Sequence, residues 1–257
     1  MRRIPTLIVL LPALMAVAAV AEELTVEQVV SRHIEARGGA ERWSEVETLR
    51  MRGSYSAFSF RDEFTLIRSR GDLYRLDFTL LDSPATRARD GAGVWGLHKL
   101  LQPQAIHITE GPYPPQMERE SLFLSPLFDY TARGISIELS GRGDIDGIET
   151  INLAVKLSDG WEETWMLDAE TYLEVAVDSQ VWDFTQAGEP VLQRTYFEDF
   201  REVDGLVFPH QIEMDFNHRL EGMTVREVEV NPEIPPAAFS PPPPPEEDGE
   251  ADEADSD

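Results

Sequence analysis

Runs of alternating apolar and polar residues are the feature that most limits how this chain can fold. The clearest runs are residues 74–80, 135–139, 151–157, 173–181 and 206–216. Successive side chains of a β-strand point to opposite faces of its sheet. Each run therefore predicts a strand with one buried face and one solvated face.

Short turn sequences rich in Gly and Asp separate these runs, as at Gly71-Asp72, Asp159-Gly160 and Asp204-Gly205. Such connections join neighbouring antiparallel strands as hairpins. We expect a mainly β fold with helices (α+β), built on a single antiparallel sheet of about ten or eleven strands. A sheet of that size tends to curl, and we expect helices to cover its concave face.

A helix is predicted over residues 25–37, directly before the first strand. Thr25 and Gln28 have the spacing of a capping box, and Gly38-Gly39 can supply a left-handed stop. A further short helical turn is expected to hold Trp43 and Val46.

Residues 112–130 also interrupt the strand pattern. Three prolines come first, and the residues from Met117 to Leu124 then favour a short helix that Pro126 ends. We expect this segment to close one side of the curved sheet.

The N-terminal residues have the form of a secretory signal peptide. Arg2 and Arg3 precede an apolar run from Leu7 to Val20, and Ala19-Val20-Ala21 is a cleavage site of small residues. The run is shorter than the roughly 18 residues of a membrane-spanning helix. We expect residues 1–21 to be removed on export to the periplasm, which leaves a mature chain without a transmembrane segment.

Residues 22–240 have the length of one domain. Residues 241–257 begin with five prolines, which predict a stiff extended spacer, and continue as an acidic tail. Eight of the last twelve residues are acidic, and such a tail cannot bury enough apolar surface to fold.

The formal net charge of −26 makes nucleic-acid binding improbable, because the surface repels phosphate backbones. The chain has no Cys, which excludes disulfides, thiol catalysis and thiolate metal sites.

The five histidines, His33, His98, His107, His210 and His218, show no metal-ligand spacing, although His98 and His107 could meet across a hairpin. No serine nucleophile elbow or phosphate-binding loop is found. We expect no catalytic residue, no metal and no cofactor; a metal-dependent hydrolase is the least favoured hypothesis.

The predicted strands are rich in large apolar side chains, while only two helical segments are available to cover them. Incomplete cover over a broad apolar face predicts a cavity for an apolar ligand. The candidate lining residues are Phe58, Phe64, Leu66, Tyr74, Leu76, Phe78, Trp95, Trp165, Leu167, Val177, Phe208 and Ile212.

Four segments resemble the outer-membrane lipoprotein-sorting (LolA/LolB-like) superfamily, in its poorly characterised branch. They are His33–Gly39 with Trp43 and the strand after Thr48, Leu167–Leu173, Tyr196–His210, and Val228–Pro232 leading to Phe239. The turn Asp204-Gly205-Leu206 followed by Pro209 is the most specific of them.

The resemblance implies an open half-barrel of antiparallel strands with helices across its concave face, and no catalytic residues. In that superfamily the concavity holds acyl chains or other lipids. The leading hypothesis is a periplasmic carrier that shelters a lipid or lipoprotein acyl chain. The alternative is an envelope sensor or interaction protein that binds a protein partner.

Overall fold

One antiparallel sheet of 13 strands dominates the computed structural model, which describes residues 24–58, 60–80, 82–99, 102–182 and 190–243. The helices are α1 (Val26–Ala36), α2 (Ala40–Ser44) and α3 (Tyr113–Glu120), with a 3₁₀ turn at Pro236–Phe239. The strands are β1 (Thr48–Ala57), β2 (Phe60–Ser69), β3 (Leu73–Leu80), β4 (Ser83–Asp90), β5 (Gly93–His98), β6 (Gln102–His107), β7 (Ser136–Ile145), β8 (Ile148–Lys156), β9 (Glu162–Asp168), β10 (Glu174–Val181), β11 (Val191–Val203), β12 (Leu206–Phe216) and β13 (Arg219–Val230).

The predicted class is confirmed, since the fold is mainly β with few helices and has one open sheet, but the expected ten or eleven strands are too few. Strands β4 and β6, with the sequences SPATRARD and QPQAIH, lack clear apolar alternation. In β4 the residues in register with Tyr74 and Leu76 are Arg89 and Arg87. Guanidinium groups therefore occupy positions where the pattern expects apolar side chains.

The sheet consists of two meanders, β1 to β6 and β7 to β13, and its order is β6-β5-β4-β3-β2-β1-β13-β12-β11-β10-β9-β8-β7. The pairing of β1 with β13 joins the two meanders, with Leu49 opposite Val230 and Tyr55 opposite Met223. Strands β6 and β7 are the two edges, and residues 108–135, here called the crossover segment, connect them.

The sheet curls toward the side that carries the helices. Arg68 on β2 donates to the carbonyl of Leu122, while Arg119 pairs with Asp159, in the β8–β9 turn, at 3.0 Å. In a flat sheet β2 and β9 would lie six strand spacings apart, roughly 29 Å. Arg119 and Leu122 are only three positions apart in the crossover segment, yet they contact both of these regions. The two halves of the sheet must therefore bend toward each other.

The helices start and stop as the sequence predicts at the N-terminus but not in the crossover segment. In α1 the Thr25 hydroxyl accepts from the Gln28 amide and the Gln28 side chain accepts from Thr25, which confirms the capping box. Helix α3 begins at Tyr113 and ends at Glu120, before the expected end at Pro126. Prolines are tolerated in a first helical turn, so Pro114 and Pro115 start this helix rather than delay it.

The helices lie on one face of the sheet, here called the inner face, which carries Leu49, Leu76, Leu153 and Phe208. Two apolar clusters form there. The first packs beneath α2 and α3 and includes Trp43, Leu49, Phe64, Leu76, Met117, Phe123, Phe128 and Phe208. The second packs beneath α1 and includes Val29, Val30, Leu127, Ile151, Leu153, Trp165, Leu167 and Val177.

The C-terminal part of the described chain covers a patch of the opposite, outer face. The Trp95 indole N–H donates to the carbonyl of Phe239 at 2.8 Å, and Arg75 donates to Ala238 at 2.9 Å. Trp95 and Phe239 are both buried. The domain boundary expected at residue 240 stays a prediction, because residues 1–21 and 244–257 lie outside the described residues.

No helix among residues 24–243, with the gaps stated above, has the length and apolarity that crossing a membrane requires.

Replacing Gly53 by Ala is expected to destabilise the protein by about 1–3 kcal/mol, the usual cost of overpacking. A Cβ at this position would lie 1.9 Å from the Thr224 carbonyl oxygen on β13 and 2.8 Å from the Phe64 ring. The free energy of unfolding from urea denaturation measures the effect. Gly91→Ala is the control, because a Cβ there has no atom within 4 Å. Equal stability of the two variants would contradict tight β1–β13 packing.

Candidate ligand-binding site

The inner face is sealed where the N-terminal helices lie. Trp43 of α2 packs edge-on against Phe208 and Phe128, with ring centroids 5.6 and 5.7 Å apart, and its indole N–H donates to Arg37 at 2.9 Å. Leu49 and Leu206 are also fully covered there. The side chains around Trp43 are therefore closely packed.

Elsewhere on the inner face the cover is incomplete. Six apolar residues of β1, β2, β3, β12 and β13 share this face and remain half-buried although the sheet places them inward. We call this surface the open inner wall; it consists of Met51, Leu66, Phe78, Ile212, Met214 and Met223. Its flexible methionines suit contact with an irregular apolar partner.

Aromatic and charged side chains adjoin the open inner wall on β1, β3 and β4. The Tyr55 ring lies 5.2 Å from that of Phe78, and the Tyr55 hydroxyl donates to Glu221. The Arg87 guanidinium lies 5.3 Å from the Phe78 ring centre, within cation–π range. An apolar wall thus borders a polar group with a buried positive charge.

Burial shifts the acidities of this group. It raises the pKa of Tyr74 to about 12, with Arg87 opposing the shift, and it likewise raises the pKa of Tyr55 and of Tyr113 in α3. Burial disfavours the charged form of Arg87, but Glu120 and the three tyrosines outweigh this, so its pKa lies above the usual value. At neutral pH the phenols are therefore protonated donors beside a charged guanidinium.

The candidate lining residues from the sequence fall into separate environments. Leu66, Phe78 and Ile212 lie in the open inner wall. Phe64, Tyr74, Leu76 and Phe208 lie in the first apolar cluster, and Trp165, Leu167 and Val177 lie in the second.

The remaining two candidates lie outside these three groups. Phe58 is in the β1–β2 turn with φ +50° and is 44% exposed. Trp95 is in register with Ala88 and His107, on the outer face beneath Phe239. Which of the twelve residues contact a ligand stays a prediction.

Sequence reasoning missed Met51, Met214, Met223 and Arg87. The alternation of β12 could have identified Met214, because it shares a parity with Phe208 and Ile212. No such signal marked Arg87, since a guanidinium on an inward position looks like a break in the strand pattern.

A groove of about 540 Å³ lies on the outer face, across β7 to β11. Its lining includes Glu138, Lys156, Glu162 and Asp178. Burying such charged groups against an acyl chain costs free energy, so this groove does not suit an apolar ligand.

A buried polar cluster anchors α1 to the sheet. His33 is fully buried, and its Nδ1 donates to the Tyr172 carbonyl at 2.9 Å. Arg37 donates to the buried carboxylate of Glu174 and to the Val207 carbonyl. The cluster fixes the helix that covers the second apolar cluster.

The histidines do not form a metal site in the part of the chain that the structure describes, where no group of three potential ligands occurs. His98 and His107 do not meet across their hairpin, because His98 pairs with Ala85 on one face while His107 pairs with Trp95 on the other.

The chain has a LolA/LolB-like fold, as the comparison with solved structures shows, and the resemblance seen in the sequence is confirmed. A DUF1329 family protein from Desulfovibrio piger superposes with a TM-score of 0.55 at 11% identity, covering 84% of this chain and 97% of that one. A LolA superfamily protein from Nitrosomonas europaea gives 0.53 at 10% identity, with coverages of 84% and 98%.

A domain from Vibrio parahaemolyticus, named for outer membrane lipoprotein sorting, gives a TM-score of 0.54 at 13% identity, with coverages of 82% and 94%. No family model and no curated protein matches the sequence. At these identities the likeness concerns the fold.

His33→Gln is expected to weaken the pH dependence of stability. Burial lowers the pKa of His33 against the opposing effect of Glu174, so the folded state binds the proton less well than the unfolded state. This contribution to stability is present above the unfolded pKa of about 6.5 and is lost as the pH falls below it.

Urea denaturation at about pH 7 and about pH 5 measures the effect. The unfolding free energy should fall between these values in the wild type and fall less in the variant. If the unfolding free energy falls by the same amount in both proteins, His33 does not contribute to the acid sensitivity.

Proposed function

We propose that this protein is a non-catalytic carrier in the periplasm that shelters a lipid or lipoprotein acyl chain. The single observation that carries the proposal is the open inner wall, an apolar surface on the covered side of the sheet that the helices leave half-buried. The half-barrel form, with the inner face as its concave side, accounts for this arrangement.

The energetics suit an acyl chain. Each methylene removed from water contributes about 0.8 kcal/mol, so even part of a long chain against this wall gives useful affinity. The proposed location depends on the signal peptide expected at residues 1–21. The names of the structural neighbours from Vibrio parahaemolyticus and Nitrosomonas europaea are consistent with this function.

The double variant Met214→Gln, Met223→Gln is expected to bind an environment-sensitive fluorescent fatty acid about tenfold more weakly than the wild type. Glutamine nearly matches methionine in shape but places an amide where the wall is apolar. Fluorescence titration gives the dissociation constants, and native mass spectrometry of protein from its own periplasm should show lipid that the variant loses.

The matched control is Leu192→Gln, because Leu192 is 62% exposed and its register with Gln180 places it on the outer face. Two results would count against a carrier. One is wild-type protein that never contains lipid in native mass spectrometry, and the other is an equal loss of affinity for the fatty acid in the control and the double variant.

Deleting residues 241–257 separates the carrier from the alternative, an envelope protein that senses or binds a partner through its tail. The open inner wall does not include the deleted segment, so a carrier should keep its affinity for the fluorescent fatty acid in the same titration. Unchanged binding would support the carrier, and loss of lipid binding with the tail would oppose it.

A further inference from the structure

Arg87 is the charged residue whose position the apolar carrier function leaves unexplained. It lies near the middle of β4 on the inner face, in register with Leu76 on β3 and Gly96 on β5. Gly96 has no side chain, and Ile108 packs over it, with its Cδ1 3.5 Å from the position that a Gly96 Cβ would take.

The Arg87 guanidinium is incompletely paired. Its Nε is buried without a hydrogen-bond partner among the residues that the structure describes, and one of its contacts is the Phe78 ring. A buried polar donor without a partner destabilises the folded protein, and more so when it is charged. A ligand that supplies an acceptor would recover this free energy.

Two carboxylates near these side chains are already engaged. Glu221 accepts from the Tyr55 hydroxyl, and Glu120 accepts from the Gln116 amide at 2.9 Å and is exposed to solvent. Both oppose an incoming anion, as does the net charge of −26. An anion at this site must therefore depend on direct contact with Arg87 rather than on long-range attraction.

The hydroxyls near Arg87 are also donors. Tyr74 and Tyr113 interact electrostatically with the guanidinium, and each is protonated at neutral pH because burial raises its pKa. A guanidinium flanked by phenol donors matches the acceptor oxygens of a carboxylate or a phosphate. Phe78 belongs both to this group and to the open inner wall, so the polar and apolar parts adjoin.

We infer that the cargo carries an anionic head group, a carboxylate or a phosphate, which Arg87 binds while the acyl chain lies along the open inner wall. This inference rests on the proposed function and specifies the class of lipid. It assigns Arg87 a role in selectivity, with Tyr74 and Tyr113 as supporting donors.

Titration of the full mature chain with three fluorescent probes tests the inference. The probes are a fatty acid, its methyl ester and a single-chain lipid with a phosphate monoester head. The wild type should bind at least one of the anionic probes about tenfold or more tightly than the ester. The probe that is preferred distinguishes a carboxylate cargo from a phosphate cargo.

Arg87→Met should remove that preference, so that the anionic probes and the ester bind with similar affinities, while Arg87→Lys should keep part of the preference. The matched control is Arg52→Met, since Arg52 lies on the outer face, is 44% exposed and pairs with Glu227 and Glu229. It should bind as the wild type does, because exposed ion pairs contribute little.

Equal wild-type affinity for acid, phosphate and ester would overturn the inference and leave the carrier function standing, and this comparison needs no variant. A preference for an anion that persists in a folded Arg87→Met protein would also overturn it. Failure of the wild type to bind any of the probes would instead count against the proposed function.

Discussion

The pairing of β1 with β13 is the interaction on which the rest of this structure depends. Leu49 and Val230 are partners across it although they lie 181 positions apart (230 − 49). Closing so long a loop costs conformational entropy, and only the continuous ladder and the packing beneath it offset that cost. Without it, the two meanders would be separate sheets, each with an additional open edge.

Once the two meanders are joined, the edges β6 and β7 lie at opposite ends of one sheet, and the crossover segment must connect them. Arginines hold that segment in place: Arg68 donates to Leu122, Arg119 pairs with Asp159, and Arg133 donates to Ser125 at 2.7 Å. The first two contacts tie the segment to both halves of the curled sheet, and the third holds the segment's own fold. The helices available are too small to cover the whole face, and the uncovered part is the open inner wall.

The sequence predicted the elements with strong local signals. Thr25 and Gln28 identified the start of α1, and the alternation in β12 identified a strand with Phe208 directed inward. Local signals failed where a strand carries charged residues at inward positions or where a distant segment covers a residue. Arg87 and Arg89 occupy inward positions of β4, so the apolar pattern there is lost and the strand count is too low. Trp95 was expected to line the cavity, but Phe239, which is distant in sequence, buries it on the outer face.

By itself the sequence determined that this chain builds one large antiparallel sheet with an apolar face and few helices, because side-chain alternation and turn residues are local properties. Only the tertiary structure decided which apolar residues are sealed and which stay half-buried. Leu76 and Met214 look equivalent in sequence, yet Leu76 is fully buried in the first apolar cluster, whereas Met214 packs against that cluster and stays half-buried. Cover depends on contacts between distant segments, and no local pattern records it.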